Sequence, residues 1–176
     1  MRLHSPDGVY VGRVEGVHGL AGLVVVRGFL FPGNALFPSG TVLLTADRRP
    51  LPVVSCRPYR RGLMLLGLNG VSDREEALRL RDQSLYIDEA DCADGGLPIP
   101  LYAMVGMEVR GADGSKAVVT SLEYNTSNPL LLVKGDGGEF ALPVRLVLHE
   151  GRVDWRRSLV EIDLPEGLEE VWHGRA

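Results

Sequence analysis

Residues 9–27 read VYVGRVEGVHGLAGLVVVR, in which two apolar stretches enclose a glycine-rich segment. The stretches Val9–Val14 and Leu23–Arg27 are rich in β-branched residues, which favour a pleated, half-buried surface. Between them, Gly16–Gly22 has a glycine at every third position and predicts a loop that needs positive φ or a close backbone approach. No helix follows to receive a phosphate, so the spacing does not fit a dinucleotide-binding loop. The stretch predicts a β-hairpin whose loop either has a structural role or contacts a partner, and His18 suits both roles.

Most of the remaining chain repeats this pattern of short apolar stretches separated by Gly and Pro. Strands are predicted in the first half at Val42–Thr45, Leu51–Cys56 and Leu63–Leu68, and in the second half at Met107–Arg110, Ala117–Tyr124, Leu130–Val133, Glu139–Leu142, Arg152–Asp154 and Leu159–Ile162. Many short strands at a spacing of about 8–12 residues favour a barrel or a sandwich. The sequence therefore predicts an all-β protein.

One segment departs from the strand pattern and predicts a helix. The residues Ser72-Asp73-Arg74-Glu75 fit a capping box, in which the Ser72 hydroxyl accepts from the Glu75 amide and Glu75 reaches back. Ala77 and Leu80 supply an apolar stripe, and the apolar stretch Ser84–Ile87 follows as a strand.

The composition of residues 88–100 indicates a boundary between two units. This segment holds acidic residues, the pair Gly95-Gly96 and the prolines Pro98 and Pro100, which is typical of a linker. We expect a first domain over residues 1–94, a linker over 95–100 and a second domain over 101–176.

Composition and charge limit the classes of protein to consider. The chain has 176 residues, of which 45% are hydrophobic and 24% are charged, and this argues against disorder. No apolar run approaches the ~18 residues that a membrane helix needs. The first residues lack the apolar core of a signal peptide, which predicts a cytoplasmic protein.

The distribution of charge says more than the net charge of −4. Residues 1–61 carry eight arginines against three acidic residues, whereas residues 62–95 carry three arginines against eight acidic residues. The basic first third permits a local patch that faces phosphate or an acidic surface. It does not have the overall basic character of a dedicated nucleic-acid binder.

The sequence predicts no catalytic, metal or cofactor site. Its four histidines are scattered, and Cys56 and Cys92 are too far apart in sequence for a zinc-binding pattern. No nucleophile elbow, HExxH motif or Walker lysine is present. We therefore expect a protein that is not an enzyme.

The best local candidate for nucleic-acid contact is Tyr59, which stands beside Arg57, Arg60 and Arg61. Aromatic rings that alternate with cations suit stacking on bases and pairing with phosphates. An exposed basic hairpin explains the same residues equally well.

The order and spacing of these motifs resemble the bacterial ribosome maturation factor RimM family over nearly the whole chain. The similar segments of the first half are 11–14 (VGRV), 16–22 (GVHGLAG), 24–26 (VVV) and 66–77 (LGLNGVSDREEA). Those of the second half are 105–109 (VGMEV), 113–114 (DG), 128–133 (NPLLLV), 139–143 (EFALP) and 165–168 (PEGL).

The resemblance implies two small β-barrels, an N-terminal one like those of translation factors and a C-terminal barrel of the PRC type. It also implies a monomeric, non-enzymatic assembly factor without a cofactor. Such a factor binds the maturing small ribosomal subunit through a basic ribosomal protein of the head. It promotes folding and processing of the small-subunit rRNA, which lies nearby. The alternative is an RNA-binding β-barrel module that acts in translation without a protein partner.

The chain departs from the family where many members carry a pair of aromatic residues before the second domain. Here Ile99 and Pro100 occupy those positions, and Tyr102 is the aromatic residue nearby. The predicted partner-binding residues are Gly16, His18, Gly19, Gly22, Leu101, Tyr102 and Gly106, and the predicted rRNA-facing residues are Arg57, Tyr59, Arg60 and Arg61.

Overall fold

A computed structural model of the protein describes residues 4–5, 8–31, 35–60, 62–93, 97–124 and 128–164. These residues group into two compact units, 4–103 and 104–164. Both units are built mainly of strands, so the predicted all-β class is confirmed. The division falls between Ala103 and Met104, three residues beyond the end of the expected linker.

The first unit combines short and long strands with two one-turn helices. Its strands are β1 (His4–Ser5), β2 (Gly8–His18), β3 (Leu23–Arg27), β4 (Leu30–Phe31), β5 (Val42–Thr45), β6 (Pro50–Arg60), β7 (Leu63–Leu68), β8 (Ser84–Ile87) and β9 (Ile99–Pro100), and its helices are α1 (Arg74–Leu78) and α2 (Glu89–Ala93). The expected early strands and the strand after the helix all form, with β2 and β6 longer than predicted.

Six of these strands close into an antiparallel ring. They pair in the order β2-β3-β7-β6-β5-β8, and β8 pairs again with β2. Tyr86 of β8 faces Leu44 of β5 on one side and Tyr10 of β2 on the other. The ring is a small β-barrel, as the strand pattern and the resemblance predicted.

The core fills the inside of this ring with aliphatic side chains from alternate positions. Val24 and Val26 of β3 pair with Leu66 and Met64 of β7, and all four are 5% exposed or less. Removing such side chains from water stabilises the fold by about 25 cal/mol for each Å² of apolar surface buried. Both strands are short apolar segments bounded by turns that contain glycine, and this explains why β3 and β7 were readable from sequence.

Helix α1 begins one residue later than predicted. Its N-cap is Asp73, whose Oδ1 accepts a hydrogen bond from the Glu76 amide at 2.9 Å. The Glu76 carboxylate in turn accepts from the Ser72 amide at 2.7 Å, so the capping pair is Asp73 with Glu76 rather than Ser72 with Glu75. Aspartate and serine are both good N-caps, so residue type alone does not fix the choice. The predicted apolar positions Ala77 and Leu80 are both buried.

Part of the expected linker belongs to the first unit. Strand β9 pairs with β4, with Leu30 opposite Pro100 and Phe31 opposite Ile99. The Leu101 amide continues this attachment by donating to the Phe29 carbonyl at 2.8 Å. Residues 99–100 are therefore a strand, although the proline and acidic residues of this segment predicted a linker. Residues 95–96 lie outside the described residues.

The second unit is a six-stranded sheet with one helix. Its strands are β10 (Glu108–Gly111), β11 (Lys116–Glu123), β12 (Leu130–Gly135), β13 (Gly138–Pro143), β14 (Gly151–Asp154) and β15 (Leu159–Ile162), and its helix is α3 (Val144–Glu150). The order is β13-β12-β11-β10-β15-β14, and the β10–β15 pair is parallel. The six predicted strands form within a few residues of their expected ends. Helix α3 was not predicted, and residues 165–168 lie outside the described residues.

Two further observations concern membrane-spanning helices and the cysteines. Among the residues that the structure describes, no helix is long and apolar enough to cross a membrane. Cys56 and Cys92 are both free thiols. Burial, together with the neighbouring carboxylates, raises the pKa of Cys92 to about 12, so this thiol is protonated at neutral pH.

The attachment of β9 generates a prediction about fragments of the chain. A fragment of residues 1–103 keeps the β4–β9 pair and Tyr102, whereas a fragment of residues 1–94 loses them and uncovers Leu30. We expect the longer fragment to unfold cooperatively and to be more stable by at least about 1 kcal/mol, or roughly 4–8 °C in Tm. Thermal unfolding followed by circular dichroism measures this difference. Equal Tm values would show that residues 95–103 do not stabilise the first unit.

Candidate functional site

The glycine segment forms a shorter turn than predicted. Strand β2 continues to His18, and the turn occupies residues 19–22. Gly19 and Gly22 have φ of 69° and 71°, as a positive-φ loop requires. Gly16 instead lies within β2 beside a bulge, opposite Val25, and a Cβ there would meet no atom within 4 Å. The prediction of a conformational need for glycine is therefore confirmed at two of the three positions and wrong at Gly16.

Gly22 fixes the turn against the start of α1. A Cβ on Gly22 would lie 2.8 Å from the Asp73 carbonyl oxygen and 2.9 Å from that of Val71, so only glycine allows this approach. At the tip of the turn, by contrast, the side chain of Leu20 is 84% exposed. The turn is therefore a firm support that presents an apolar side chain to solvent.

The base of this turn meets the end of the β6–β7 hairpin. The rings of His18 and Tyr59 contact each other edge to face, with centroids 5.2 Å apart. The Arg60 guanidinium lies 5.1 Å from the centroid of the Tyr59 ring, within the range of a cation–π interaction. Strands β2 and β6 are separated in the ring by β3 and β7, so this contact joins residues from distant strands.

Sequence placed His18 and Tyr59 in two separate groups, and the structure brings these groups together. We call the combined region, made of His18, Leu20, Arg57, Tyr59 and Arg60, the turn–hairpin surface. All but His18 are exposed, and His18 is half-buried. Arg61, the fourth predicted rRNA-facing residue, lies outside the described residues.

The strands under this surface have an apolar outer face. Register places His18 opposite Leu23, and Leu23 shares its outward face with Val25, which lies opposite Leu65. Leu65 points away from the barrel core but is only 3% exposed. An apolar side chain this well covered on the outer face indicates packing there, and it gives the turn–hairpin surface a firm base.

The charge of the turn–hairpin surface is strongly one-sided. Residues 48–72 contain five arginines and no aspartate or glutamate. Arg57 and Arg60 are exposed and make no ion pair with any other described residue. Two arginines elsewhere in the barrel are neutralised: Arg13 pairs with Asp82 at 2.9 Å, and Arg27 pairs with Glu15. Positive charge available to a ligand therefore remains at the hairpin.

Tyr102 lies in a different environment, on the attached segment that follows β9. Its ring packs on Phe29, with centroids 5.0 Å apart, and the residue is half-buried. Burial raises the pKa of Tyr102, and the nearby Arg27 opposes this shift. Gly62 makes room for Phe29, because a Cβ there would lie 2.5 Å from the Phe29 ring. Tyr102 is thus part of the packing of the first unit and keeps some surface for contact.

The other two predicted residues of this region have clear local roles. Leu101 is fully buried and its amide is bonded to Phe29, so its side chain offers no surface. Gly106 lies in the second unit, is exposed and has φ of 91°, and its amide donates to the Val119 carbonyl at 2.8 Å. The hydrogen bonds of Leu101 and Gly106 thus join them to Phe29 and Val119, which are not part of the turn–hairpin surface.

No arrangement suited to metal binding stands out in the part of the chain that the structure describes. There, no three His, Cys, Asp or Glu side chains group together as a metal site requires. His149 is exposed and lies 2.9 Å from Glu150, its neighbour in sequence.

Two comparisons with known proteins bear on this domain. Residues 9–92 match the protein family described as the RimM N-terminal domain. The match starts in β2 and ends in α2, so it includes all six strands of the ring. The chain is also similar to a crystal structure from Pseudomonas aeruginosa described as a 16S ribosomal RNA processing protein RimM. The sequence identity is 21%, the match covers 90% of this chain and 98% of that one, and the TM-score is 0.41.

The contrast between two glycines gives a matched pair of substitutions. We expect Gly22→Ala to destabilise the protein by about 2 kcal/mol or more, because a left-handed conformation costs a non-glycine residue about 1–2 kcal/mol and the new Cβ also meets backbone. Gly16→Ala has neither problem and should change the free energy of unfolding by less than about 0.5 kcal/mol. Urea denaturation measures both values. Similar losses for the two variants would contradict the assignment of these roles.

The Phe29–Tyr102 contact predicts a stability effect for Tyr102. Tyr102→Ala removes a packed aromatic pair, which contributes about 0.5–1.5 kcal/mol beyond the area it buries, so the Tm should fall by several degrees. Tyr102→Phe keeps the ring and should melt close to the unmodified protein. An unchanged Tm for Tyr102→Ala would show that the ring serves contact with a partner alone.

Proposed function

Because residues 9–92 belong to the RimM family as its N-terminal domain, we propose that this protein is a ribosome maturation factor. In this proposal it binds the maturing small subunit in the cytoplasm through a basic ribosomal protein of the head. It promotes folding and processing of the small-subunit rRNA without catalysis or a cofactor, and it acts as a monomer. Family membership supports a role in ribosome maturation, and the particular partner is our inference.

The observation that carries this proposal is the exposure of Leu20. A leucine that is 84% exposed contributes almost no burial of apolar surface to folding, yet it lies on a turn that Gly22 holds against α1. An apolar side chain presented on a firm support suits insertion into a pocket of a protein partner, where little flexibility is lost on binding. Gly19 keeps the turn in its left-handed conformation beside it.

The overall charge agrees with a basic protein partner. The chain has a net charge of −4, and six acidic residues lie in the short segments 73–76 and 88–91, around α1 and α2. Complementary charge speeds the encounter of two proteins more than it strengthens the final complex. We propose that acidic segments guide the approach and that Leu20 provides the anchor.

Such binding would act through a preference for one state of the subunit. A factor that binds the nearly mature arrangement of protein and rRNA more tightly than the immature one shifts the population toward it. Its effect equals the difference between the two affinities, so no chemical step is needed.

A second candidate function is an RNA-binding module that acts in translation without a protein partner. The arginines of residues 48–72, with no acidic residue among them, favour this alternative. The two functions differ in salt dependence. Each phosphate contact to a single strand adds about −0.7 to the slope of log binding constant against log salt concentration, so binding to RNA weakens steeply as salt rises.

The proposal predicts that Leu20 is needed for subunit binding. We expect Leu20→Asp to weaken co-sedimentation with immature small subunits at least tenfold, about 1.4 kcal/mol, with an unchanged Tm. Leu78→Asp is the matched control, since Leu78 is a 42% exposed leucine on α1. We expect this variant to bind the subunit normally.

The same sedimentation assay, repeated at rising salt, separates the two functions. A shallow dependence supports an anchor on a protein. Normal binding by Leu20→Asp, together with a steep loss of binding in salt, would favour the RNA-binding module instead.

A further inference from the structure

We propose that four residues of the turn–hairpin surface, all of them except Leu20, form a stacking site for an unpaired nucleotide of single-stranded RNA. In this site a base stacks on the exposed ring of Tyr59, beside the half-buried ring of His18, and Arg57 and Arg60 hold the adjacent phosphates. The inference deepens the proposed function, because it names the chemistry by which this domain would contact rRNA.

Three flat groups lie together at one exposed place on this surface. An imidazole, a phenol and a guanidinium meet there within 5.2 Å, and each is a group on which nucleobases stack. Tyr59 remains 37% exposed although it touches both neighbours. A ring held in place by two contacts has already lost most of its rotational freedom, so little further conformational entropy is lost when a base stacks on it.

The positive charge of Arg57 and Arg60 also favours a nucleic-acid ligand. Arg57 and Arg60 have no carboxylate partner among the described residues, whereas Arg13 and Arg27 are paired. An arginine that is not neutralised within the protein can bind a phosphate with both arms of its guanidinium. The remainder of a net acidic chain repels nucleic acid, so a phosphate backbone is drawn toward this hairpin.

Single-stranded RNA fits these residues better than a duplex or an acidic protein segment does. The bases of a duplex are already stacked on one another, and their faces are not available to Tyr59. An acidic protein segment would satisfy the arginines but would leave the two rings without a flat partner. A nucleotide that has left its stack offers both a flat base and a phosphate.

The test uses the full chain and a fluorescein-labelled oligouridylate of about 12 nucleotides, within the site size of known single-strand binders. Binding is followed by fluorescence anisotropy at low salt. We expect Tyr59→Ala to weaken binding roughly 5- to 150-fold, since stacking on an aromatic ring is worth about 1–3 kcal/mol for each base. Tyr59→Phe, which keeps the ring, should bind like the unmodified protein.

A second probe, inorganic polyphosphate of similar charge, separates stacking from simple attraction. Arg57→Gln and Arg60→Gln should weaken binding to both probes, and each should reduce the salt slope for the oligouridylate by about 0.7. Tyr59→Ala should affect the oligouridylate alone. Arg81→Gln is the matched control, because Arg81 is also exposed but lies outside this surface, and it should affect neither probe.

Several results would overturn the proposal. Equal binding of oligouridylate and polyphosphate, or normal oligouridylate binding by Tyr59→Ala, would exclude a stacking site. A loss of subunit co-sedimentation in Tyr59→Ala with normal RNA binding would assign the surface to a protein partner. If Tyr59→Ala lowers the Tm, Tyr59→Leu replaces it, because leucine keeps an apolar side chain but has no ring. None of these assays depends on Leu20, so the proposed function is tested separately.

Discussion

The structure of the first unit depends on one constraint, the double pairing of β8 with β2 and β5. Tyr86 faces Tyr10 on one side and Leu44 on the other, and this closes the ring. Strand β2 must then serve two partners, β8 near its start and β3 near its end, and it bends at two bulges to do so. At Gly12 this bend brings the backbone against the Arg27 carbonyl, where any side chain would collide. The glycine follows from closure, since no other residue permits the approach.

Closure also explains why charge separates over the barrel. The ring has no free strand edge, so the chain connects its strands through hairpins and the short helix at its ends. The connection through α1 carries acidic residues that suit a helix N-terminus, Glu75 and Glu76 among them. The β6–β7 hairpin has no helix dipole to satisfy, and its three arginines, at positions 57, 60 and 61, lie in a segment without a carboxylate. One barrel thus presents an acidic region and a basic region, each with its own class of possible partner.

Local signals in the sequence predicted the strands well, but they did not predict contacts between residues that are distant in sequence. Strands β3 and β7 are short, continuous apolar segments, and the turns beside them carry glycine, so both were readable. Strand β9 has only two residues, one of them proline, and it exists only because β4 is available to pair with it. Helix α3 follows Pro143 directly, without a side-chain cap to mark its start, and its residues suit a strand equally well. The His18–Tyr59 contact joins residues 41 positions apart, and only the closed ring brings them together.

The two tyrosines singled out from sequence lie in different electrostatic surroundings. Tyr102 packs on Phe29 beside the Arg27–Glu15 pair, where the charges already satisfy each other. Tyr59 packs on His18 beside arginines that have no carboxylate within the described residues. An aromatic ring next to a neutralised pair offers a ligand only apolar area, whereas a ring next to free cations offers both stacking and charge. The combination of a ring with arginines that lack a described carboxylate partner therefore lies at the hairpin, whereas Tyr102 packs on Phe29 and remains a predicted contact for a protein partner.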